Sequence, residues 1–144
     1  MTDVVEINAL TVRYGSVTAV EDLSLSIPKG LVYALLGRNG SGKSSTVRCL
    51  LGQRRAAAGS AHVFGMDAWK DRVRIMERVG VVPEQPDIPP ETNAELLARF
   101  VMRVAPRWRS SEFFSRLDGF GIPRRQRFDK LSKGQQRQMA LAVA

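Results

Sequence analysis

Residues 31–52, LVYALLGRNGSGKSSTVRCLLG, decide the fold of this chain. The run opens on Leu31–Leu36, continuously apolar, as a strand buried on both faces would be. It passes into Gly37-Arg38-Asn39-Gly40-Ser41-Gly42-Lys43-Ser44, which fits the spacing G-x-x-x-x-G-K-[ST]. Lys43 to Leu51 then reads as a helix, with Gly52 placed to close it. Gly37, Gly40 and Gly42 let the backbone curl with its N–H groups turned inward, and the helix behind them presents the positive end of its dipole. Strand, glycine loop and helix in this order make a cradle for the phosphates of a nucleoside triphosphate. Within it Lys43 is placed to bridge the β- and γ-phosphates and the Ser44 hydroxyl to ligate Mg²⁺, with Asn39, Ser41 and Ser45 as further candidate contacts.

On the N-terminal side of this stretch, VVEINALTVRYG predicts a strand from about Val4 to Arg13, broken at Tyr14-Gly15. SVTAVEDLSLSI predicts a second, with Leu23, Leu25 and Ile27 on one face and Ser24 and Ser26 on the other. On the C-terminal side, RRAAAGS reads as a loop, AHVFG as a short strand, Asp67 to Arg78 as a helix and Val79 to Val82 as a strand stopped by Pro83. The character changes at Pro86. PDIPP is a stiff link, and Thr92 with Glu95 three residues later forms the pattern of a capping box. Leu96, Leu97, Phe100, Val101 and Val104 fall on one face of the helix that follows, which Ala105-Pro106 ends. Ser111 to Leu117 predicts another short helix, broken by Gly119, Gly121 and Pro123, and Gly134 to Ala144 the start of a further one.

A second motif narrows the ligand. Leu131-Ser132-Lys133-Gly134-Gln135, followed by QRQMALA, resembles the signature sequence of the ATP-binding-cassette (ABC) ATPases. The commonest family form is LSGGQ, so Lys133 replaces one glycine. It lies 94 residues (131 − 37) after the start of the phosphate loop and just beyond a helical insertion. Serine and glycine at the start of a helix make a second anion-binding end. The resemblance implies that two cassettes, identical or different, dimerise head to tail, and that Ser132, Gly134 and Gln135 of each close over the ATP of the other. It also assigns Tyr14, 23 residues before Gly37, to stacking on adenine, and Val20 to lining the same base. Val-Gly-Val-Val-Pro-Glu-Gln, ending at Gln85, resembles the family's Q-loop. The family's glutamine usually follows the proline directly, and here Glu84 stands there with Gln85 next. Either can serve to ligate Mg²⁺ or orient water, with Glu84 favoured. The catalytic set implied is Lys43, Glu84 or Gln85, and Ser132.

The fold expected is α/β: a P-loop NTPase core with an N-terminal antiparallel β-subdomain and an inserted α-helical subdomain, incomplete at its C-terminus. The expected division is 1–85 for the β-subdomain and core, 86–130 for the helical subdomain, and 131–144 for the signature and its helix. The family pattern continues into a hydrophobic strand ending in aspartate, a catalytic glutamate and a switch histidine. None follows Ala144, so these 144 residues alone are expected to bind nucleotide without turning it over.

Composition fits this reading. With 44% hydrophobic and 25% charged residues the chain resembles ordinary globular proteins, and no apolar run approaches a membrane span. The N-terminus MTDVVEIN has no secretory pattern, and the single Cys49 cannot form an internal disulfide. Cys49 is expected in the core facing the sheet, Trp69 and Trp108 as packing anchors, and His62 as no metal ligand. The net charge of +8 comes from residues 99–144, where 11 Lys and Arg face 3 Asp and Glu. No aromatics interleave there in a base-stacking pattern, so a solvated surface is expected and no nucleic-acid partner.

The function expected is therefore the ATP-binding subunit of an ABC transporter. It would be cytoplasmic, peripheral on the inner face of the cell membrane, and partnered by a transmembrane permease subunit and a second cassette, with ATP and Mg²⁺ as cofactors. Pro106-Arg107-Trp108, Glu84 and the LSKGQ form look most like exporter cassettes. An alternative is an ABC-type ATPase acting on nucleic acid or ribosomes, though neither heptads nor paired cysteines are present. A phosphate-loop kinase or GTPase outside the family would leave LSKGQ unexplained and lacks N-K-x-D.

Overall fold

The computed structural model describes residues 3–105 and 107–144, in two compact units, 1–78 and 79–144. Met1, Thr2 and Pro106, the last of which was expected to end a helix and to begin the exporter-like Pro106-Arg107-Trp108, lie outside the described residues.

The first unit is built on an antiparallel sheet of order β2-β1-β3-β4, formed by β1 (Asp3–Tyr14), β2 (Val17–Pro28), β3 (Ala58–Val63) and β4 (Met66–Asp67). Strand β1 lies in the middle, with Val5 opposite Ile27, Ile7 opposite Leu25 and Leu10 opposite Leu23. Its apolar residues run Val5, Ile7, Leu10, Val12, so simple alternation would turn the last two outward. A bulge between Ile7 and Leu10 prevents this. Ala9 takes a left-handed φ of 49° and donates its N–H to the Ser24 hydroxyl at 2.9 Å, and Ile7, Leu10 and Val12 are all buried. Leu23, Leu25 and Ile27 of β2 are half-buried and Ser24 and Ser26 exposed, as the alternation predicts.

Helix α1 (Lys43–Leu50) packs on this sheet. Cys49 meets Ile7, Leu10 and Val12, and burial pushes its thiol pKa up. Gly52 closes the helix in a left-handed conformation, φ 63°. The expected loop RRAAAGS is shorter than predicted, because Ala58 to Ser60 pair with Thr11 to Asn8 of β1 and so extend β3. The helix expected over 67–78 shrinks to α2 (Arg72–Met76). Met66 and Asp67 are drawn into the sheet opposite Val63 and His62, and the Asp67 carboxylate accepts the N–H groups of Trp69 and Lys70 in a turn. Trp69 is 44% exposed, so it does not anchor a core.

Two predicted strands are absent. Residues 31–38 have no ladder partner among the described residues, and Leu31, Val32, Tyr33 and Leu36 stand exposed. Val79 to Val82, in the second unit, likewise has no ladder, and Val81 and Val82 are exposed. Both segments carry the apolar composition of buried strands, but a strand is made by pairing, and composition cannot supply the partner.

The second unit packs α3 (Ala94–Val104), α4 (Ser110–Gly119), a single 3₁₀ turn (Phe128–Lys130) and α5 (Lys133–Val143) around Phe113, Leu117, Ile122, Phe128, Leu131 and Met139. Trp108 lies against Phe113, ring centroids 5.3 Å apart, and donates its indole N–H to the Val143 carbonyl at 2.9 Å, the anchor the sequence predicted. The cap of α3 is Asn93, whose side chain accepts the Leu96 N–H at 3.0 Å, and not Thr92. Glu95, expected to close a capping box, instead meets Arg125 at 3.1 Å. The apolar face of α3 is divided. Small Ala94 and Ala98 enter the core with Leu97 beside it, whereas Leu96, Phe100 and Val104 are exposed. Four arginines of this unit are paired locally, as Arg109–Glu112, Arg124–Asp118, Arg125–Glu95 and Arg127–Asp129. No helix among the described residues is long and apolar enough to cross a membrane.

Candidate nucleotide site

Gly42 is the hinge of the phosphate loop. It caps α1 at φ 86°, a left-handed conformation that side chains rarely adopt. A Cβ there would also lie 2.5 Å from the Ala19 carbonyl oxygen and 2.7 Å from Val20 Cγ2. The loop is thus pressed against β2, which brings Val20 to the mouth of the helix. No side chain caps α1, and its first turn holds no acidic residue. Most helices cover their first N–H groups with Ser, Thr, Asp or Asn. This end instead offers bare N–H groups and a positive dipole to an incoming anion.

Lys43 folds its amine back over the loop, donating to the carbonyls of Gly37 and Arg38 at 2.7 Å each and approaching Ser41 Oγ at 3.5 Å. The ammonium is therefore held over the loop, where phosphate oxygens can take over these bonds at little cost in rearrangement. Thr46, buried on the next turn, turns its hydroxyl to the Gly42 carbonyl at 3.0 Å and locks the first turn. Ser44 is exposed and Ser45 half-exposed beside it, while Asn39, Gly40 and Ser41 lie exposed on the loop.

Tyr14, at the end of β1, comes to the same helix. The Ser45 hydroxyl and the Arg48 guanidinium beside its phenol hold the tyrosine pKa below its ordinary value of 10.0. Arg54 lies over the ring, 4.4 Å from its centroid. The fold thus gathers Val20, Gly37 and Asn39 to Ser45 at the N-terminal end of α1, with Tyr14 alongside the helix near Ser45 and Arg48. Arg48 and Arg54 are additions that motif spacing did not reveal, because α1 and the turn after it reach Tyr14 only through the folded sheet.

The remaining candidates lie in the second unit. Glu84 and Gln85 sit in an exposed bend, neither in a strand nor in a helix. Ser132 caps α5 in a full capping box: its Oγ accepts the Gln135 N–H at 3.2 Å, and the Gln135 side chain accepts the Ser132 N–H at 3.0 Å. The Thr92–Glu95 pattern and this one look alike in sequence, and only the second forms. The Ser132 oxygen is used here as an acceptor, so its own O–H proton is still available to donate. Gln136 fastens the preceding turn by donating to the carbonyls of Phe128 and Leu131 at 3.0 and 3.2 Å, and exposed Gly134 leaves the face of the helix end open. No cluster of three or more His, Cys, Asp or Glu among the described residues could hold a metal by itself. Ser44 in the first unit, and Glu84 or Gln85 in the second, each offer an oxygen of the kind taken by Mg²⁺, an ion that draws its other ligands from phosphates and water.

The sequence model of the family described as "ABC transporter" matches residues 20–144. The daunorubicin/doxorubicin resistance ATP-binding protein DrrA of Streptomyces peucetius is 32% identical over 148 residues, covering 99% of this chain and 45% of that protein. The bacitracin transport ATP-binding protein BcrA of Bacillus licheniformis is 36% identical over 86 residues, 60% of this chain and 28% of that protein. The chain thus spans less than half the length of these curated relatives. Among solved structures, an ATP-binding subunit of an ABC transporter superposes with a TM-score of 0.83 at 22% identity, over 98% of this chain and 61% of that one. That likeness carries the fold: a P-loop α/β domain of which this chain holds the N-terminal part. The matched family model, the likeness of nearly the whole chain to part of DrrA, and the phosphate loop and capped LSKGQ helix together place this chain in the ABC transporter family.

Proposed function

We propose that the chain is the nucleotide-gripping part of the ATP-binding subunit of an ABC transporter. The observation that carries this is the uncapped end of α1 behind left-handed Gly42, with the Lys43 ammonium over the loop and Tyr14 alongside the same helix. The loop N–H groups and Lys43 bind the β- and γ-phosphates, and Tyr14 with Val20 receives the adenine. Ser44, with Glu84 or Gln85, holds Mg²⁺, which supplies charge neutralisation on the phosphates. Ser132 and Gly134 at the open end of α5 serve the γ-phosphate of a second cassette in a head-to-tail dimer. A transmembrane permease is the membrane partner, which places the subunit on the cytoplasmic face. The drug resistance for which DrrA is named supports the exporter reading over import.

The test is titration calorimetry of the protein with ATP, GTP and inorganic tripolyphosphate, with and without Mg²⁺. ATP should bind more tightly than tripolyphosphate, and Lys43→Ala should weaken both by about tenfold or more, as expected for loss of a charge-assisted contact. Binding that ignores Lys43→Ala, or no binding at millimolar ATP, would refute the proposal.

A further inference from the structure

We infer that Arg54 is a positioning residue of the adenine platform: its guanidinium backs one face of the Tyr14 ring and leaves the other face to the base. The inference rests on the reading that Tyr14 receives adenine. Three restraints hold Arg54 in place. Its guanidinium donates to the Arg13 carbonyl, one residue before the tyrosine it covers. Its own N–H, and that of Gln53, donate to the Arg48 carbonyl at 3.2 and 2.8 Å, which ties the turn to the end of α1. Gly52, left-handed two residues before, leaves no room for a side chain, since a Cβ there would meet the Ala68 carbonyl and the Arg72 Cβ. The guanidinium thus sits 4.4 Å from the ring centroid by construction, even though both groups are partly open to solvent.

Arg54 follows the C-terminal end of α1 and lines a cleft of about 320 Å³ with Cys49, Ala61 and Asp67. The phosphate loop opens at the other end of that helix, about 12 Å away for eight residues. The residue that carries the guanidinium is thus rooted at the end of α1 remote from the phosphate loop. The phenol lies beside Ser45 and Arg48 of α1. A ring covered on one face has already lost part of the freedom that stacking would otherwise remove, and the other face is left to a base. A planar guanidinium stacks on an aromatic face in a way a lysine ammonium does not reproduce.

The experiment measures ATP and tripolyphosphate affinity by calorimetry on the full chain, for Arg54→Ala, Arg54→Lys, Tyr14→Ala and the Tyr14→Ala/Arg54→Ala pair. Thermal midpoints accompany each variant. Arg54→Ala is expected to weaken ATP about two- to fivefold and to leave tripolyphosphate unchanged, as loss of an exposed ring contact would. Arg54→Lys should recover less than half of the loss, and Arg54→Ala should add nothing in the Tyr14→Ala background. Should Arg54→Ala fail to fold, the comparison of Arg54→Lys with the parent carries the same test. If Tyr14→Ala weakens ATP but Arg54→Ala does not, the inference fails while the adenine reading stands. Tighter ATP binding by Arg54→Ala would mean that the guanidinium blocks the base, and equal weakening of tripolyphosphate that it acts only as a charge; either overturns the inference. If Tyr14→Ala costs ATP nothing relative to tripolyphosphate, the adenine reading fails and takes this inference with it.

Discussion

Two glycines of the phosphate loop share a conformation and differ in surroundings, which makes them a matched pair. Gly40 and Gly42 are both left-handed, at φ 83° and 86°. A Cβ on Gly40 would meet nothing within 4 Å, whereas one on Gly42 would meet the Ala19 carbonyl oxygen at 2.5 Å and Val20 Cγ2 at 2.7 Å. Alanine at either place carries the strain of a left-handed L-residue, about 1–2 kcal/mol. Alanine at 42 adds an overpacking cost of about 1–3 kcal/mol. That cost is hard to relax, because the Ala19 carbonyl belongs to β2, which is paired along its length with β1. Gly42→Ala should therefore be less stable than Gly40→Ala by about 1–3 kcal/mol. In urea, with a slope of about 1 kcal/mol/M for a unit of this size, the midpoints should differ by about 1–3 M. Trp69 lies in the first unit and Trp108 in the second, so a Trp108→Phe background lets Trp69 fluorescence report the first unit alone. Equal midpoints for the two alanine variants would refute the claim that the loop is braced against β2.

Leu117 is fully buried and Phe100 is 63% exposed, so Leu117→Ala should cost the second unit about 2–5 kcal/mol and Phe100→Ala under about 0.5 kcal/mol, measured by urea unfolding through Trp108. Ser132→Ala removes one half of the capping box and should cost about 1 kcal/mol in the same assay, with Ser132→Thr retaining most of it. Asp67 is held below its ordinary value of 3.8, first by the Lys70 N–H and then by that of Trp69. A depressed folded value gives stability that is present above the unfolded value and lost as pH falls through the folded one, so unfolding midpoints of the first unit should decline between about pH 5 and 3. Asp67→Asn keeps an acceptor for the turn, and should flatten that part of the decline.

Legibility followed the range of the interaction concerned. The phosphate loop was readable because Gly42, Lys43 and Ser44 act through their own backbone and the helix they begin. The alternation in β2 was readable because a period of two needs only a neighbour, and Leu23, Leu25 and Ile27 turned inward as expected. The capping boxes show the limit of local reading. Ser132 and Thr92 present the same pattern, yet Asn93 caps α3 and Glu95 pairs with Arg125 from 30 residues away. The bulge at Ala9 was not read from the sequence, although the apolar positions of β1 change phase between Ile7 and Leu10.

What the sequence determined alone is the local build of the loop: glycines that free the backbone, a lysine that folds over it and a helix that begins behind it. Tertiary structure decided which apolar residues are covered. Residues 31–36 have the composition of a central strand and stand exposed without a ladder, and the apolar face of α3 is split between core and solvent. It also decided that Arg54 lies on Tyr14, 40 residues apart (54 − 14). Dipoles and glycine torsions are properties of a few adjacent residues, whereas ladders, burial and ring stacking need a partner that only the folded chain brings near.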